Sequence, residues 1–224
     1  MHESEFGYMT FTHIQRRRGR DGQSRQEYLQ QLVEEYKKAD TPDTKRKILA
    51  TLGNFAYDPI NYGWLYQEGV VELFIDALSN PGGDDELQRI GVFGLCNNAL
   101  DRRVQQRLAN DEVVIGLCKQ IILANTKYTS EFLLSTVCLL WHICTPDNIN
   151  SIVSSELKIA LEGVRSSENV NVPLHNMCSI FLEDFFFDAQ KLTSDEVLKE
   201  SAEELSEESN EPMKEPLAKR QRSS

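Results

Sequence analysis

From about residue 25 to residue 187 the apolar positions recur at helical spacing, in runs broken by short polar turns. The stretch from 48 to 80, ILATLGNFAYDPINYGWLYQEGVVELFIDALSN, shows the unit most plainly. Ile48, Leu49, Leu52 and Phe55 share one face of a helix. Asp58-Pro59 then stops it, because proline drives the residue before it out of the α region. Gly69 separates a short segment around Trp64 and Leu65 from a third apolar stretch that begins at Val70. A unit of this kind cannot bury its apolar face alone, so the pattern predicts neighbouring copies of it.

The copies are present. Leu52-Gly53-Asn54-Phe55 returns as Leu95-Cys96-Asn97-Asn98, then as Leu140-Trp141-His142-Ile143 and Leu182-Glu183-Asp184-Phe185. Val70, Phe74 and Leu78 return as Val113, Leu117 and Ile121. An all-helical period of about 40–47 residues is the signature of stacked repeats of armadillo or HEAT type. The predicted helices begin with one over 25–39 and a long one over 44–56, then 61–67, 70–79 and 85–98 for the first complete repeat. The second repeat takes 102–109, 112–124 and 130–143, and the third 146–152, 157–164 and 172–187. Pro81-Gly82-Gly83 reads as a turn inside the first repeat. Pro173 suits the first turn of its helix, where a missing N–H costs nothing.

The leading helix carries Tyr28, Leu29, Leu32, Val33 and Tyr36 as its buried stripe. Ser24 followed by Glu27 forms a capping box, and the helix suits the end cap that a solenoid needs. The expected organisation is a basic disordered arm over 1–24, a solenoid over 25–187 and an acidic disordered tail over 188–224 with a basic end. In the arm, three readings of Arg16-Arg17-Arg18-Gly19-Arg20 stay open: RNA phosphate contact, part of a nuclear-import signal, and a solvated tail. In the tail, Lys219-Arg220-Gln221-Arg222 resembles a short nuclear-localisation signal. The nucleus is therefore the expected compartment, with the cytoplasm the alternative.

The pattern Leu-x-Asn, a turn, a short helix and then Glu68-Gly69-Val70-Val71 before Leu73 resembles the armadillo repeat. The fold this implies is an all-α, right-handed α-solenoid of about three repeats with an N-terminal capping helix. In that family the third helix of each repeat lines a concave groove, and its asparagines clamp an extended peptide. An amide side chain offers one donor and one acceptor, which matches one peptide unit. The ladder position is held here by Asn54, Asn97, His142 and Asp184, so only half of it is amide. The second and third repeats carry Glu112 and Glu156 in place of the glycine. Import receptors of the family place tryptophan four residues before the ladder asparagine, where this chain has Ala50, Phe93 and Cys138. An import-receptor groove is accordingly not implied.

The runs NFAYDP and FLEDF, on a single small solenoid with short flanks, are similar to a spliceosomal branch of the family. That resemblance implies a non-enzymatic subunit of the minor spliceosome. It also implies a protein partner of the RNA-recognition-motif class (RNA-binding motif protein 48-like), near the capped end of a small nuclear RNA that is contacted indirectly. The alternative is a general armadillo adaptor for an extended peptide in another nuclear or cytosolic complex.

Charge and cysteine usage narrow the picture further. A formal net charge of −11 argues against unaided nonspecific nucleic-acid binding, which runs on Lys and Arg neutralising phosphates. No apolar run is long enough to span a bilayer. The five cysteines are odd in number, sit in apolar helical segments and form no CxxC pair, so they read as small hydrophobes, and neither metal nor cofactor is expected. Cys138 lies one helical turn before His142, the spacing of a thiol hydrolase, yet no oxyanion site or orienting carboxylate accompanies it. Arg89, Arg102 and Arg103 stand close to the Asn97 helix, as candidate holds for an acidic segment or an RNA phosphate, and Trp141 is a further candidate contact. Alone, the chain is expected to be a monomer.

Overall fold

The computed structural model describes residues 22–80, 84–168 and 170–187, with residue 187 through its backbone alone. Most of the expected N-terminal arm, the Pro81-Gly82-Gly83 turn and the acidic tail lie outside the described residues.

Side-chain caps set the helix starts. Helix α1 (Arg25–Lys38) opens on the expected capping box: Ser24 Oγ accepts from Glu27 N at 3.2 Å, and the Glu27 carboxylate accepts from Ser24 N at 2.6 Å. Helix α2 (Pro42–Ala56) starts two residues before the expected Thr44. The Thr41 hydroxyl accepts from Thr44 N at 3.2 Å, and Pro42 occupies the first turn, where its missing N–H has no partner to lose. The first repeat continues with a 3₁₀ turn (Pro59–Asn61), α3 (Tyr62–Gln67), α4 (Val70–Leu78) and α5 (Asp85–Asn98). Gly69, at φ +69°, makes the left-handed bend between α3 and α4 that a side chain would strain.

The second repeat is α6 (Arg102–Ala109), α7 (Glu112–Leu123) and α8 (Ser130–Ile143), each opened by an aspartate or threonine cap. The third is α9 (Ile149–Ile152), α10 (Ser155–Arg165) and α11 (Val172–Leu182), which runs into a π-helical turn (Glu183–Phe187). Helix α9 is shorter than the expected 146–152. Asn148 Oδ1 accepts from Thr145 N at 2.7 Å, and Asn148 Nδ2 donates to the carbonyls of Ile143 and Ala109, so residues 145–148 form a side-chain-closed turn.

Helices α2, α5, α8 and α11 lie side by side in one layer, with α4, α7 and α10 packed behind them. Helix α1 packs on α2 and closes the N-terminal end. This is an all-α armadillo-like solenoid, and a single apolar core runs through it from Leu29 to Phe186. A close contact joins α4 to α5. A methyl on Gly94 would overlap the buried Phe74 ring, and one on Gly91 would sit 2.8 Å from the Phe74 carbonyl oxygen. No helix among the described residues is long and apolar enough to cross a membrane.

The short first helices brace the layer of long ones. Tyr62 OH donates to the Asn97 carbonyl at 3.1 Å, and Gln105 Nε2 donates to the His142 carbonyl at 2.7 Å. Tyr62 and Gln105 stand at the same distance along the chain after Asn54 and Asn97, so the brace repeats with the fold. Each bond satisfies a carbonyl at a helix C-terminus that has no partner within its own helix.

Candidate functional site

The four ladder positions fall at the C-terminal ends of the four stacked helices, or just past the end in the case of Asp184. The first two differ from the last two. Asn54 is exposed and its amide has no hydrogen-bond partner among the described residues. Asn97 is half-buried, and its Nδ2 is closed off from solvent with no acceptor. An unpaired buried amide nitrogen costs about 1–3 kcal/mol relative to a satisfied one. A side-chain rotation that brings this nitrogen to a bound carbonyl would recover that cost.

Asp184 and His142 are engaged with each other's surroundings. Trp141 Nε1 donates to Asp184 Oδ2 at 2.7 Å across the α8–α11 seam. The His142 ring meets the Trp141 indole edge-on, with centroids 5.1 Å apart. Burial pushes the His142 imidazole below its ordinary pKa, so the ring is neutral at physiological pH. Trp141, expected as a partner contact, also ties the last two ladder positions together inside the chain.

The face around the ladder is apolar at the positions one turn before it. Phe93 is 39% exposed and Ile180 44% exposed. One face of the Phe93 ring is docked, with a ring carbon 3.5 Å from where a Gly53 Cβ would stand, so it fills the seam between α2 and α5.

Two of the three candidate arginines are already paired. Arg89 forms a two-armed ion pair with Glu86, which lies three residues before it and whose carboxyl this pairing holds below the usual range. Arg103 grips Asp101 at 2.6 Å and lies over the Tyr66 ring at 4.9 Å. The Arg103 hydrogen bond likewise lowers the Asp101 carboxyl. Arg102 is exposed and has no ion-pair partner among the described residues. Of the aromatic residues near the first turn, Tyr62 packs inside while Tyr57 is 78% exposed. The Cys138–His142 spacing does not become a Cys–His pair: burial acts on the His142 ring, and Cys138 plays no part in its electrostatics. Among the described residues no three His, Cys, Asp or Glu side chains converge as metal ligands.

Comparison with known proteins settles the family. Armadillo repeat-containing protein 7 of mouse is 33% identical over 158 residues, which cover 70% of this chain and 77% of that protein. The chain belongs to the armadillo-repeat family. No family model matches it. The armadillo assignment and the stacked layer together make the chain a protein-binding scaffold.

Sequence reasoning missed three features of this armadillo face: the Trp141–Asp184 latch, the paired state of Arg89, and the repeated brace through Tyr62 and Gln105. The second was signalled by the Glu86–Arg89 spacing on one helix. The other two are cross-repeat contacts between positions that become visible only once the helices are stacked.

Proposed function

We propose that this armadillo chain grips an extended protein segment along the ladder face, through the amides of Asn54 and Asn97, as a non-enzymatic subunit of the minor spliceosome. The observation that carries the grip is the pair of amides without protein partners at equivalent positions of adjacent helices. The spliceosomal assignment is supported by the resemblance of NFAYDP and FLEDF and by the relationship to armadillo repeat-containing protein 7. In this reading the partner is an RNA-recognition-motif protein, the small nuclear RNA is reached through it, and the site of action is the nucleus. Arg102 is the cation free to meet a carboxylate or a phosphate at the edge of the site.

The test is a tagged pull-down of the full chain from nuclear extract, with proteins read by mass spectrometry and RNA by sequencing, with and without nuclease. Recovery of an RNA-recognition-motif protein after nuclease treatment, together with a minor-class small nuclear RNA without it, is the expected result. Recovery of an unrelated complex and no small nuclear RNA would leave a general adaptor and overturn the spliceosomal reading.

A further inference from the structure

Helices α2 and α5 carry their ladder asparagines near their C-terminal ends, and at their opposite ends they border a groove. It lies where the last turns of α1 and α4 meet the first turns of α2 and α5, and its volume is about 840 Å³. The buried Ala77 and Leu87 line it, so part of its wall is apolar. Its charged lining is five carboxylates against two cations, Lys45 and Arg46.

Two of the carboxylates are already used by the fold. Asp84 is held by Arg46 at 2.5 Å and caps α5 through Leu87 N, and Glu86 is paired with Arg89. Asp40, Asp76 and Asp85 are exposed, and none has an ion-pair or hydrogen-bond partner among the described residues. A separate feature of the same groove is Tyr36, which is only 9% exposed yet lines it. Its hydroxyl makes no hydrogen bond among the described residues. Burial, followed by the Asp76 carboxylate, pushes its pKa up, so it keeps its proton. A nearly enclosed hydroxyl without a partner, at the wall of an open groove, is a group that a ligand can satisfy. We propose that this groove binds a protein segment bearing closely spaced arginine or lysine side chains, held by Asp40, Asp76 and Asp85 and by the Tyr36 hydroxyl.

The lining selects that occupant over other cations. No three carboxylates among the described residues converge tightly enough to hold a metal ion, so the negative charge suits several cations spaced along a chain. With Arg46 neutralised by Asp84, Lys45 is left to oppose three free carboxylates. The Lys45 ammonium lies 5.8 Å from the Tyr36 ring centroid, so this ring already takes a cation on its face. The apolar wall at Ala77 and Leu87 accepts the methylene stems of long basic side chains, whose charged heads stay at the carboxylates. The Tyr36 oxygen can accept from a guanidinium or ammonium N–H. The chain is a protein-binding scaffold, so the cations arrive on a polypeptide.

The full chain is titrated with a fluorescein-labelled peptide, Gly-Ala-Arg-Lys-Arg-Ala-Gly, and binding is read by anisotropy at low and physiological salt. Asp76→Asn/Asp85→Asn is expected to weaken it about fivefold or more, and Tyr36→Phe about threefold, with the ring and its packing kept. Glu112→Gln/Glu183→Gln removes two exposed carboxylates elsewhere and should change affinity less than about twofold. Carbodiimide coupling of the bound peptide's lysine to the wild-type chain, mapped by mass spectrometry, should fall on Asp40, Asp76 or Asp85. That map decides the matter even where a variant folds poorly. Equal losses in the two double variants, or coupling spread over the surface, would mean diffuse attraction to an acidic chain and overturn the proposal, as would no binding at all. Binding that emerges only when Arg16, Arg17, Arg18 and Arg20 are all changed to Gln would assign the groove to this chain's own arm and overturn a partner segment.

Discussion

The two halves of the ladder face share one framework and use it differently. In the N-terminal half, Asn54 is exposed to solvent and the Asn97 amide nitrogen is buried without an acceptor. In the C-terminal half, the equivalent position of the last helix, Asp184, is held by Trp141, and His142 is tucked edge-on against that indole. A satisfied polar group stabilises the chain that contains it, whereas an unsatisfied one is worth more to a partner. On the proposed function, the solenoid thus puts its own stability into one end of the face and uses the other end for recognition.

The contrast can be broken most forcefully at its foundation. Gly94→Ala forces a methyl into the Phe74 ring where α5 meets α4, and is expected to cost about 3 kcal/mol, read as a lower urea midpoint. Because α5 lies between the two halves, binding should fail together with folding. An unchanged midpoint would mean that the α4–α5 contact is not the tight one described.

Next comes the amide half itself. The double variant Asn54→Ala/Asn97→Ala should weaken partner binding at least about tenfold, or about 1.4 kcal/mol. Its stability should be unchanged or slightly higher, since Asn97 loses a buried group that has no partner. Weaker binding caused by a falling melting temperature would contradict the division of labour.

A smaller effect is expected in the latched half. Trp141→Phe keeps the ring and removes the donor to Asp184, which is exposed, so stability should drop by only about 1 kcal/mol while binding holds. A binding loss as large as that of the double asparagine variant would place the grip in the C-terminal half instead.

The smallest effect is a pH dependence. Burial keeps the His142 pKa below its ordinary value of 6.5, so the unfolded chain takes up the proton first as pH falls. Stability is therefore intact above 6.5, declines as pH drops past that value, and stops declining on this account below the folded pKa. His142→Gln should flatten denaturation midpoints measured between pH 7 and 5. The lowered carboxyls of Glu86 and Asp101 act separately, their contribution being lost only as pH falls through and below the usual carboxylate range.

Most of the fold was legible because a helical repeat writes the same apolar spacing several times, and because its helices begin on capping residues such as Ser24, Thr129 and Asn171. Two boundaries shifted for local reasons. Pro42 begins a helix expected only from residue 44, since Thr41 supplies the cap, and Asn148 closes a turn that delays α9. The ladder positions were legible from the repeat register. Their engagement was not, because Trp141 and Asp184 meet only across two packed repeats.

The most direct test places a photoreactive phenylalanine analogue in the full chain at one position at a time. Lys47 is exposed on the ladder side of α2, Asn176 is exposed on α11, and Ile159 is 68% exposed on α10 in the layer behind. After irradiation in nuclear extract, position 47 should cross-link a single protein strongly, position 176 less so, and position 159 not at all. Cross-linking of that protein through position 159, with none through 47, would contradict a partner held on the amide half of the ladder face.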